Sequence, residues 1–410
     1  MARALEDSAS DTRAGNTTGA RSPQSLPEPR WVADGVALAE VCRQASGFGR
    51  VAVDTEADSF HSYFHKLCLV QLTFGQHHVL VDPLAIGREG MAPVAALCAD
   101  PGVVKVFHGA DYDLRILHRD LGVRVRNLED TQVAAQLLGE PQTGLAAMVR
   151  KVLGVELVKE HQRADFGRRP LPVELRRYAA ADTAYLAPLA AALRGRLVEA
   201  GRLAWWQEEC QLLEGVQWRS EPPTEAPFER IAGAGKLRGE ARDRLAALAA
   251  WREGKAAEAD VAPFRILRNE TLLQLALDPP ADRSALAARA GVGRGVARRF
   301  GAEILAVLTS PPPASERVPS ARRQVDRERE RRVAALRAVR DAVAAELGIG
   351  AGLLAPRAAL EALVDGAVVD LAGVRRCLGR EWRTAVLGPR LLPLLAHLHQ
   401  TVSGEHAPAV

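Results

Sequence analysis

The sequence contains no run of about eighteen apolar residues, so a membrane-spanning helix is not expected. The five cysteines form no CxxC pair and their number is odd: Cys42, Cys68, Cys98, Cys210 and Cys377. This spacing favours neither a disulfide framework nor a zinc ribbon. Free thiols fit a reducing compartment, so we expect a cytoplasmic protein. The 54 basic residues exceed the 50 acidic ones only slightly, which allows a nucleic-acid partner without indicating one.

The residues that are present suffice for two or three folded domains. The chain has 410 residues, of which 48% are hydrophobic and 25% charged. This composition is ordinary for globular proteins and excludes disorder of the whole chain. Residues 1–30 combine small, polar and charged residues without an apolar signal segment, so we expect a disordered tail there. We expect a monomer that does not associate with membranes.

Proline-rich segments divide the rest of the chain. Prolines cluster within residues 222–227 and again at 311–313, and such clusters mark loops or linkers. We therefore expect linkers over 216–235 and 309–326. These boundaries predict three folded domains: residues 31–215, 236–308 and 327–402.

The first domain alternates between strand and helix patterns. Runs rich in β-branched and apolar residues predict strands at four places: residues 50–56, 67–74, 78–82 and 103–107. Helical periodicity follows in three stretches: residues 112–119, 130–138 and 174–197. The alternation predicts an α/β fold with a mixed sheet and helices on its faces, whereas both later domains are predicted to be all-α. Their similar lengths suggest a weak internal duplication.

Three acidic motifs stand out in the first domain. Asp54 and Glu56 alternate on a predicted strand, so their carboxylates share one face of the sheet. Asp113 follows the strand that ends at residue 107, where α/β sheets hold their ligands. Tyr178 and Asp182 are four residues apart and share a helical face. Clustered carboxylates repel each other unless a cation joins them, and Mg²⁺ prefers such oxygen ligands.

Each motif also has a structural interpretation when it is taken alone. Asp54 and Glu56 could end a strand in solvent, and Asp113 could stabilise a helix dipole. Tyr178 could pack in the core of an ordinary amphipathic helix. Asp111 is a candidate helix N-cap and the weaker candidate ligand. Taken together and in this order, the three motifs favour a shared site.

The order of DxE, a strand-end Asp and YxxxD resembles the DEDDy family of 3′–5′ exonucleases. Three further segments are similar to the ribonuclease D family in particular: Leu128–Ala135, Gly144–Ala147 and Gly154–Leu171. The similarity covers about residues 31–200. The unit at 236–308 resembles the HRDC module that follows the nuclease in that family, and the unit at 327–400 resembles it more weakly. The sequence departs from the family at Phe166, where Trp is common, and at Ala181, where a second acid is common.

The resemblance implies a ribonuclease H-like exonuclease domain followed by two HRDC-like helical domains. It implies that four carboxylates hold two divalent metal ions, Mg²⁺ or Mn²⁺: Asp54, Glu56, Asp113 and Asp182. It also implies that Tyr178 orients the attacking water, and that the enzyme releases 5′-mononucleotides from RNA 3′ ends, with tRNA precursors as substrates. Two alternatives stay open, a DNA 3′–5′ exonuclease and a non-catalytic RNA-binding adaptor.

A single-stranded 3′ end must enter such a site, since a duplex would bury its terminal phosphodiester among paired bases. Aromatic rings hold bases by stacking, and Phe64, His108 and Phe166 are candidates for this role. Three polar residues are candidates for phosphate contacts: Lys159, Gln162 and Arg169. The alternatives are core packing for the aromatic rings, a structural hydrogen bond for His108, and a solvated loop for the polar residues.

Overall fold

The computed structural model describes residues 26–58, 61–157, 164–219, 226–311, 326–366 and 368–404. Most of the predicted tail, up to residue 25, lies outside these ranges, and the first strand begins at Arg30. Within the described ranges, no helix combines the length and the apolar character needed to cross a bilayer.

A six-stranded mixed sheet forms the centre of the part of the chain from residue 26 to 219, which we call the α/β domain. Its strands are β1 (Arg30–Val32), β2 (Arg50–Ala57), β3 (Leu67–Phe74), β4 (His77–Val81), β5 (Val104–Phe107) and β6 (Leu128–Asp130). Their spatial order is β1-β4-β3-β2-β5-β6. Strands β2, β3 and β4 pair antiparallel, while β1, β5 and β6 each run parallel to a neighbour. The four predicted strands correspond to β2, β3, β4 and β5.

Helices from the described parts of this domain cover the two faces of the sheet. They are α1 (Gly35–Gly47), α2 (Pro83–Gly90), α3 (Ala92–Ala99), α4 (Asp111–Leu121), α5 (Thr131–Leu137), α6 (Leu145–Leu153), α7 (Val173–Ala184), α8 (Leu186–Glu199) and α9 (Leu203–Leu213). The stretch predicted as one helix over 174–197 is two helices that break at Tyr185. Pro188 explains the break, because proline lacks an N–H and its ring clashes with the carbonyl four residues earlier, at Ala184.

The first helical unit, residues 226–309, has an apolar core of its own. Its helices are α10 (Gly239–Glu258), α11 (Pro263–Ile266), α12 (Asn269–Leu277), α13 (Arg283–Ala287) and α14 (Gly293–Thr309). Phe228, Ile231 and Ala234 are buried in the same core. Residues 226–235, which we expected in a linker, therefore belong to this unit, because their apolar side chains pack against its helices.

The second helical unit, residues 327–404, resembles the first: a long helix begins it, another ends it, and shorter helices lie between them. It contains α15 (Arg327–Leu347), α16 (Ala351–Leu354), α17 (Arg357–Asp365), α18 (Leu371–Leu378) and α19 (Glu381–Gly404). In each unit a buried arginine of the first helix donates to a carbonyl fifteen residues later. Arg252 Nη1 lies 3.1 Å from the Leu267 oxygen, and Arg340 Nη1 lies 3.0 Å from the Ala355 oxygen. This repeated contact supports an internal duplication.

The second helical unit shares one continuous apolar core with the α/β domain. Trp382 stacks on Trp205 of α9 with ring centroids 4.7 Å apart. Gly139 approaches the second unit so closely that an added Cβ would lie 1.9 Å from the Gly348 oxygen, and its φ is 74°. Only glycine fits there without strain. The C-terminal unit is therefore built into the body of the α/β domain.

Candidate active site

Strand β2 and helix α7 bring three of the predicted acids together. Asp54 and Glu56 alternate on β2, and α7 packs across the same face of the sheet. The Thr73 and Thr183 hydroxyl oxygens, 2.8 Å apart, join β3 to α7. In this arrangement the ligand oxygens of Asp54, Glu56 and Asp182 all lie within 4.8 Å of one another.

The fourth acid, Asp113, lies beside this cluster in the first turn of α4. Its Oδ1 accepts from the Thr55 N–H at 3.0 Å and from the Thr55 hydroxyl at 2.5 Å. The turn before it is held by the buried carboxylate of Asp130, which accepts from the Gly109 and Ala110 N–H groups. Asp113 is thus attached to the strand that carries the other acids.

Asp111, the other acid in the first turn of α4, lies apart from the site. It is exposed and pairs with Arg115, with 2.8 Å between Asp111 Oδ2 and Arg115 Nε. Ala110, and not Asp111, occupies the N-cap position of α4. Asp111 therefore lies outside the carboxylate cluster.

Burial raises the pKa of every carboxyl group in the cluster. It raises the pKa of Asp54 to about 8 and that of Asp182 to about 7, and the repulsion between these two carboxylates adds to the shift at Asp54. Burial and the charges of the neighbouring acids raise the pKa of Glu56 to about 9. The pKa of Asp113 is also raised, first by burial and then by Asp54. Groups with such raised pKa values, close together, accept a cation in exchange for protons.

Tyr178 completes the arrangement as a hydrogen-bond donor to Asp182. This bond lowers the pKa of Asp182, although burial outweighs it. Burial and the nearby Asp182 raise the pKa of Tyr178 above its ordinary value of 10. The phenol therefore keeps its proton near neutral pH and is able to orient a water or a phosphate oxygen, but not to act as a strong base.

The donor set fits a hard divalent cation. All the clustered groups are carboxylates, and such oxygens are the ligands that Mg²⁺ and Mn²⁺ accept. Two carboxylates held this close repel each other when both are ionised, and a cation removes that repulsion. The residues present therefore match the requirements of a divalent metal site.

Gln71 is a buried polar residue of this site that the sequence interpretation missed. It pairs with Asp54 across the β2–β3 ladder, so the two side chains share a face of the sheet. Its side chain is 0% exposed, and neither amide atom has a hydrogen-bond partner among the described residues. The available signal was a glutamine between Val70 and Leu72 in the strand LCLVQLTF, whose residues are all buried.

Two of the residues predicted to contact substrate have structural roles. Phe166 is only 2% exposed and packs near Tyr178, with ring centroids 6.5 Å apart, so its face is not open to a base. Arg169 donates from Nε and Nη2 to the two carboxylate oxygens of Asp82, both at 2.7 Å, and its guanidinium lies over the Trp31 ring. Because these contacts occupy the Arg169 guanidinium, we do not propose Arg169 as a phosphate ligand.

The other four candidates differ in accessibility. Phe64 is exposed on the loop that follows β2. His108 Nδ1 lies 2.9 Å from the Thr131 hydroxyl, and burial lowers the pKa of its imidazole, so a structural hydrogen bond accounts for it. Lys159 and Gln162 lie outside the described residues.

Comparison with known proteins identifies the class to which this fold and site belong. A sequence model described as 3′-5′ exonuclease matches residues 29–198, and one described as HRDC domain matches residues 241–308. The mixed sheet with its clustered carboxylates is that of a metal-dependent 3′–5′ exonuclease, here followed by helical modules.

Relatives and solved structures narrow this class to one family. Ribonuclease D of Granulibacter bethesdensis is 33% identical over 386 residues, which are 91% of this chain and 94% of that protein. Ribonuclease D of Acidiphilium cryptum is 38% identical over 292 residues, 70% of this chain and 73% of that one. The crystal structure of Escherichia coli RNase D superimposes with a TM-score of 0.61 at 28% identity, covering 90% of this chain and 99% of that chain. The chain belongs to the ribonuclease D family, and the predicted fold class and 3′–5′ exoribonuclease activity are confirmed.

Proposed function

We propose that the enzyme uses Mg²⁺ or Mn²⁺ to trim the 3′ ends of structured RNA, with tRNA precursors as its substrates. The observation that carries this proposal is the convergence of Asp54 and Glu56 of β2 with Asp182 of α7, which is distant along the chain, beside the Tyr178 hydroxyl. Support for the RNA class comes from the solved Escherichia coli relative, which is described as an exoribonuclease involved in structured RNA processing. We further propose a monomer in the cytoplasm, where the five free cysteines fit the reducing conditions.

Each residue of the site has a role in this proposal. Asp54, Glu56, Asp113 and Asp182 would hold two divalent ions, which would polarise the scissile phosphate and lower the pKa of the attacking water. Tyr178 donates its hydrogen bond to Asp182 and so stands where it can orient that water. Water adds to phosphorus, and the bond to the 3′-oxygen of the penultimate nucleotide breaks. The products are a 5′-mononucleotide and an RNA one residue shorter with a free 3′-hydroxyl.

Incubation of the protein with a 3′-extended tRNA and a matched DNA oligonucleotide tests the proposal. With Mg²⁺ we expect stepwise shortening of the RNA and release of 5′-mononucleotides, both abolished by chelator. Faster digestion of the DNA than of the RNA would indicate a DNA exonuclease. Binding of RNA without release of any nucleotide would make it an adaptor.

Variants of the site assign the activity to the proposed residues. Asp54→Asn should abolish digestion with the fold retained, whereas Asp111→Asn, a control at an exposed acid outside the cluster, should keep the wild-type rate. Tyr178→Phe should keep metal affinity and lose most of kcat. Normal digestion by purified Asp54→Asn would refute the ligand assignment.

A further inference from the structure

A groove of about 860 Å³ lies between the α/β domain and the first helical unit. Tyr63 and Phe64 line it from the loop after β2, Trp218 from the segment after α9, and Phe264 from α11. Three of these aromatic side chains are well exposed: Phe64 by 63%, Phe264 by 50% and Trp218 by 38%. Exposed apolar rings gathered on one surface indicate a binding site.

Hydrogen bonds to the first helical unit and contacts within the α/β domain restrain three of the four aromatic residues. The Asp260 carboxylate of the first helical unit accepts from the Tyr63 N–H at 3.1 Å and from the Phe64 N–H at 3.0 Å. Tyr63 meets Phe64 edge to face, with centroids 5.1 Å apart. On the other side, the Arg119 guanidinium lies 5.0 Å from the centre of the Trp218 ring. These contacts restrain Tyr63, Phe64 and Trp218 before a ligand arrives, which reduces the entropy lost on binding.

Charge in the groove favours an anionic ligand. Arg230 lines the groove and is exposed. Arg119 adds a second cation, which it shares with Asp120. Arg252 also borders the groove but is buried and donates to Leu267 and Asn269, so it is not available to a ligand. Glu253 is the acid that lines the groove.

The loop that lines the groove follows β2, the strand that carries two of the catalytic acids. Only four residues separate Glu56, on β2, from His61, which begins the described part of the loop. His61 Nδ1 lies 3.9 Å from Asp165 Oδ2, and the next residue, Phe166, packs against Tyr178. The loop that presents Phe64 is thus joined to both walls of the active site.

We propose that this groove binds the single-stranded RNA segment upstream of the scissile bond. Bases stack on Phe64, Phe264 and Trp218, and a backbone phosphate contacts Arg230. Stacking on aromatic faces beside a cation holds single strands without reading their sequence. The inference rests on the proposed function, whose substrate would have to follow this path.

Fluorescence anisotropy of a labelled ten-nucleotide RNA, with EDTA present to prevent cleavage, tests the groove in the full-length protein. Phe64→Ala and Phe264→Ala should each weaken binding about tenfold, the loss expected for one stacked base. Arg230→Gln should lower the slope of log Kd against log salt by about 0.7, the value for one phosphate contact on a single strand. Phe48→Ala is the matched control, since Phe48 is an exposed ring that packs on Phe74 at the far end of β3.

Kinetics separate the groove from the site of cleavage. In Phe64→Ala and Phe264→Ala, the ratio of kcat/KM for the ten-nucleotide RNA to that for a dinucleotide should fall about tenfold. A dinucleotide is too short to fill both the cleavage site and the groove, so its kcat/KM should not depend on these rings. Wild-type affinity for RNA in these variants, or an unchanged ratio, would overturn the proposal. Because the binding assay needs no cleavage, it tests the groove even if the proposed catalytic function fails.

Discussion

At the scale of single residues, the raised pKa values of the clustered acids link metal binding to protons. The pKa values of Asp54, Glu56 and Asp182 are about 8, 9 and 7, so the metal-free site retains protons near neutral pH. A cation must displace these protons before it can bind. Metal affinity should therefore rise between about pH 6 and pH 9.

The same shifts predict how the metal-free protein responds to pH. A carboxyl whose pKa is raised on folding contributes stability that is fully present below its unfolded pKa, about 3.9, and is lost as pH rises through the folded value. Asp54→Asn removes one such group and relieves its neighbours of one charge. In EDTA, thermal unfolding should show a higher Tm for Asp54→Asn than for the wild type, with a larger difference at pH 8.5 than at pH 5.

Saturating Mg²⁺ provides the internal control for this prediction. It should reverse the order of the two Tm values, because only the wild type keeps the full ligand set and is stabilised by binding. A Tm difference in EDTA that does not change with pH would contradict the raised pKa of Asp54.

Gln71 leads to a prediction about stability. Its amide is buried without a hydrogen-bond partner in the described part of the chain, and an unsatisfied polar group destabilises the folded state. Gln71→Met, which keeps the length of the side chain, should raise the free energy of unfolding of the metal-free protein by about 1 kcal/mol in urea titrations. Gln207→Met, at an exposed position of α9, should change it little. A loss of stability in Gln71→Met would show that the amide is satisfied.

The sequence allowed the acids to be predicted but not the residues that support them. Asp54, Glu56 and Asp182 lie in short motifs whose spacing matches a strand or a helix, so their shared faces follow from periodicity. Asp130 and Gln71 act through contacts with residues 20 and 17 positions away along the chain. Such partners become evident only after the strands have been paired.

At the scale of elements, Asp130 holds together three parts of the fold. It ends β6, caps α5 by accepting from the Gln132 N–H at 2.8 Å, and accepts from the Ala110 N–H at 2.8 Å in the turn before α4. Asp130→Ala should lower the free energy of unfolding by about 3 kcal/mol, because it leaves several buried donors unpaired. It should also lower kcat, since the turn that places Asp113 loses its support. Urea titration and RNA digestion measure the two effects.

An ordinary helix cap supplies the control for Asp130. Asp34 caps α1 by accepting from the Ala37 N–H, and within the described residues its side chain supports no other element. Asp34→Ala should cost about 1 kcal/mol and leave kcat unchanged. Equal losses in the two variants would show that Asp130 is only a cap.

The elements themselves were predicted where their patterns are long. Strands β2 and β3 have eight residues each and show clear runs, whereas β1 and β6 have three residues each and offer no period to detect. The division between α7 and α8 was missed because the apolar spacing continues through Tyr185. The proline that forces the break lies three residues further on, inside the first turn of α8.

At the scale of the whole molecule, Glu209 of α9 joins the second helical unit to the α/β domain. Its buried carboxylate accepts from Arg380 Nε at 3.0 Å, from Trp382 Nε1 at 2.9 Å and from Arg383 Nη2 at 3.1 Å. Glu209→Ala leaves the buried Arg383 guanidinium without its counterion, so the free energy of unfolding should fall by about 3 kcal/mol.

An exposed ion pair of the same unit supplies the comparison for Glu209. Glu346 pairs with Arg390, and both side chains are open to solvent. Glu346→Ala should cost less than about 1 kcal/mol in the same denaturant titration. A similar small loss in Glu209→Ala would mean that the junction does not depend on this buried cluster.

The unequal attachment of the two helical units could not be read from the sequence. Both units have amphipathic helices of similar length, and periodicity shows which face is apolar but not which surface covers it. The helix α15, for example, buries Val333, Leu336 and Val343 in the core that the second unit shares with the α/β domain, whereas α10 buries Leu245 and Leu248 in the separate core of the first unit.

The second helical unit packs on the α/β domain, although the first helical unit lies between them in the sequence. The polypeptide leaves the α/β domain, forms the first helical unit with its separate core, and then returns to the α/β domain as the second helical unit. A protease that cut between the two helical units would therefore not release the C-terminal fragment, which would stay in place through its packing alone. The first helical unit is in effect an insertion whose two ends both lead to the body that carries the catalytic acids.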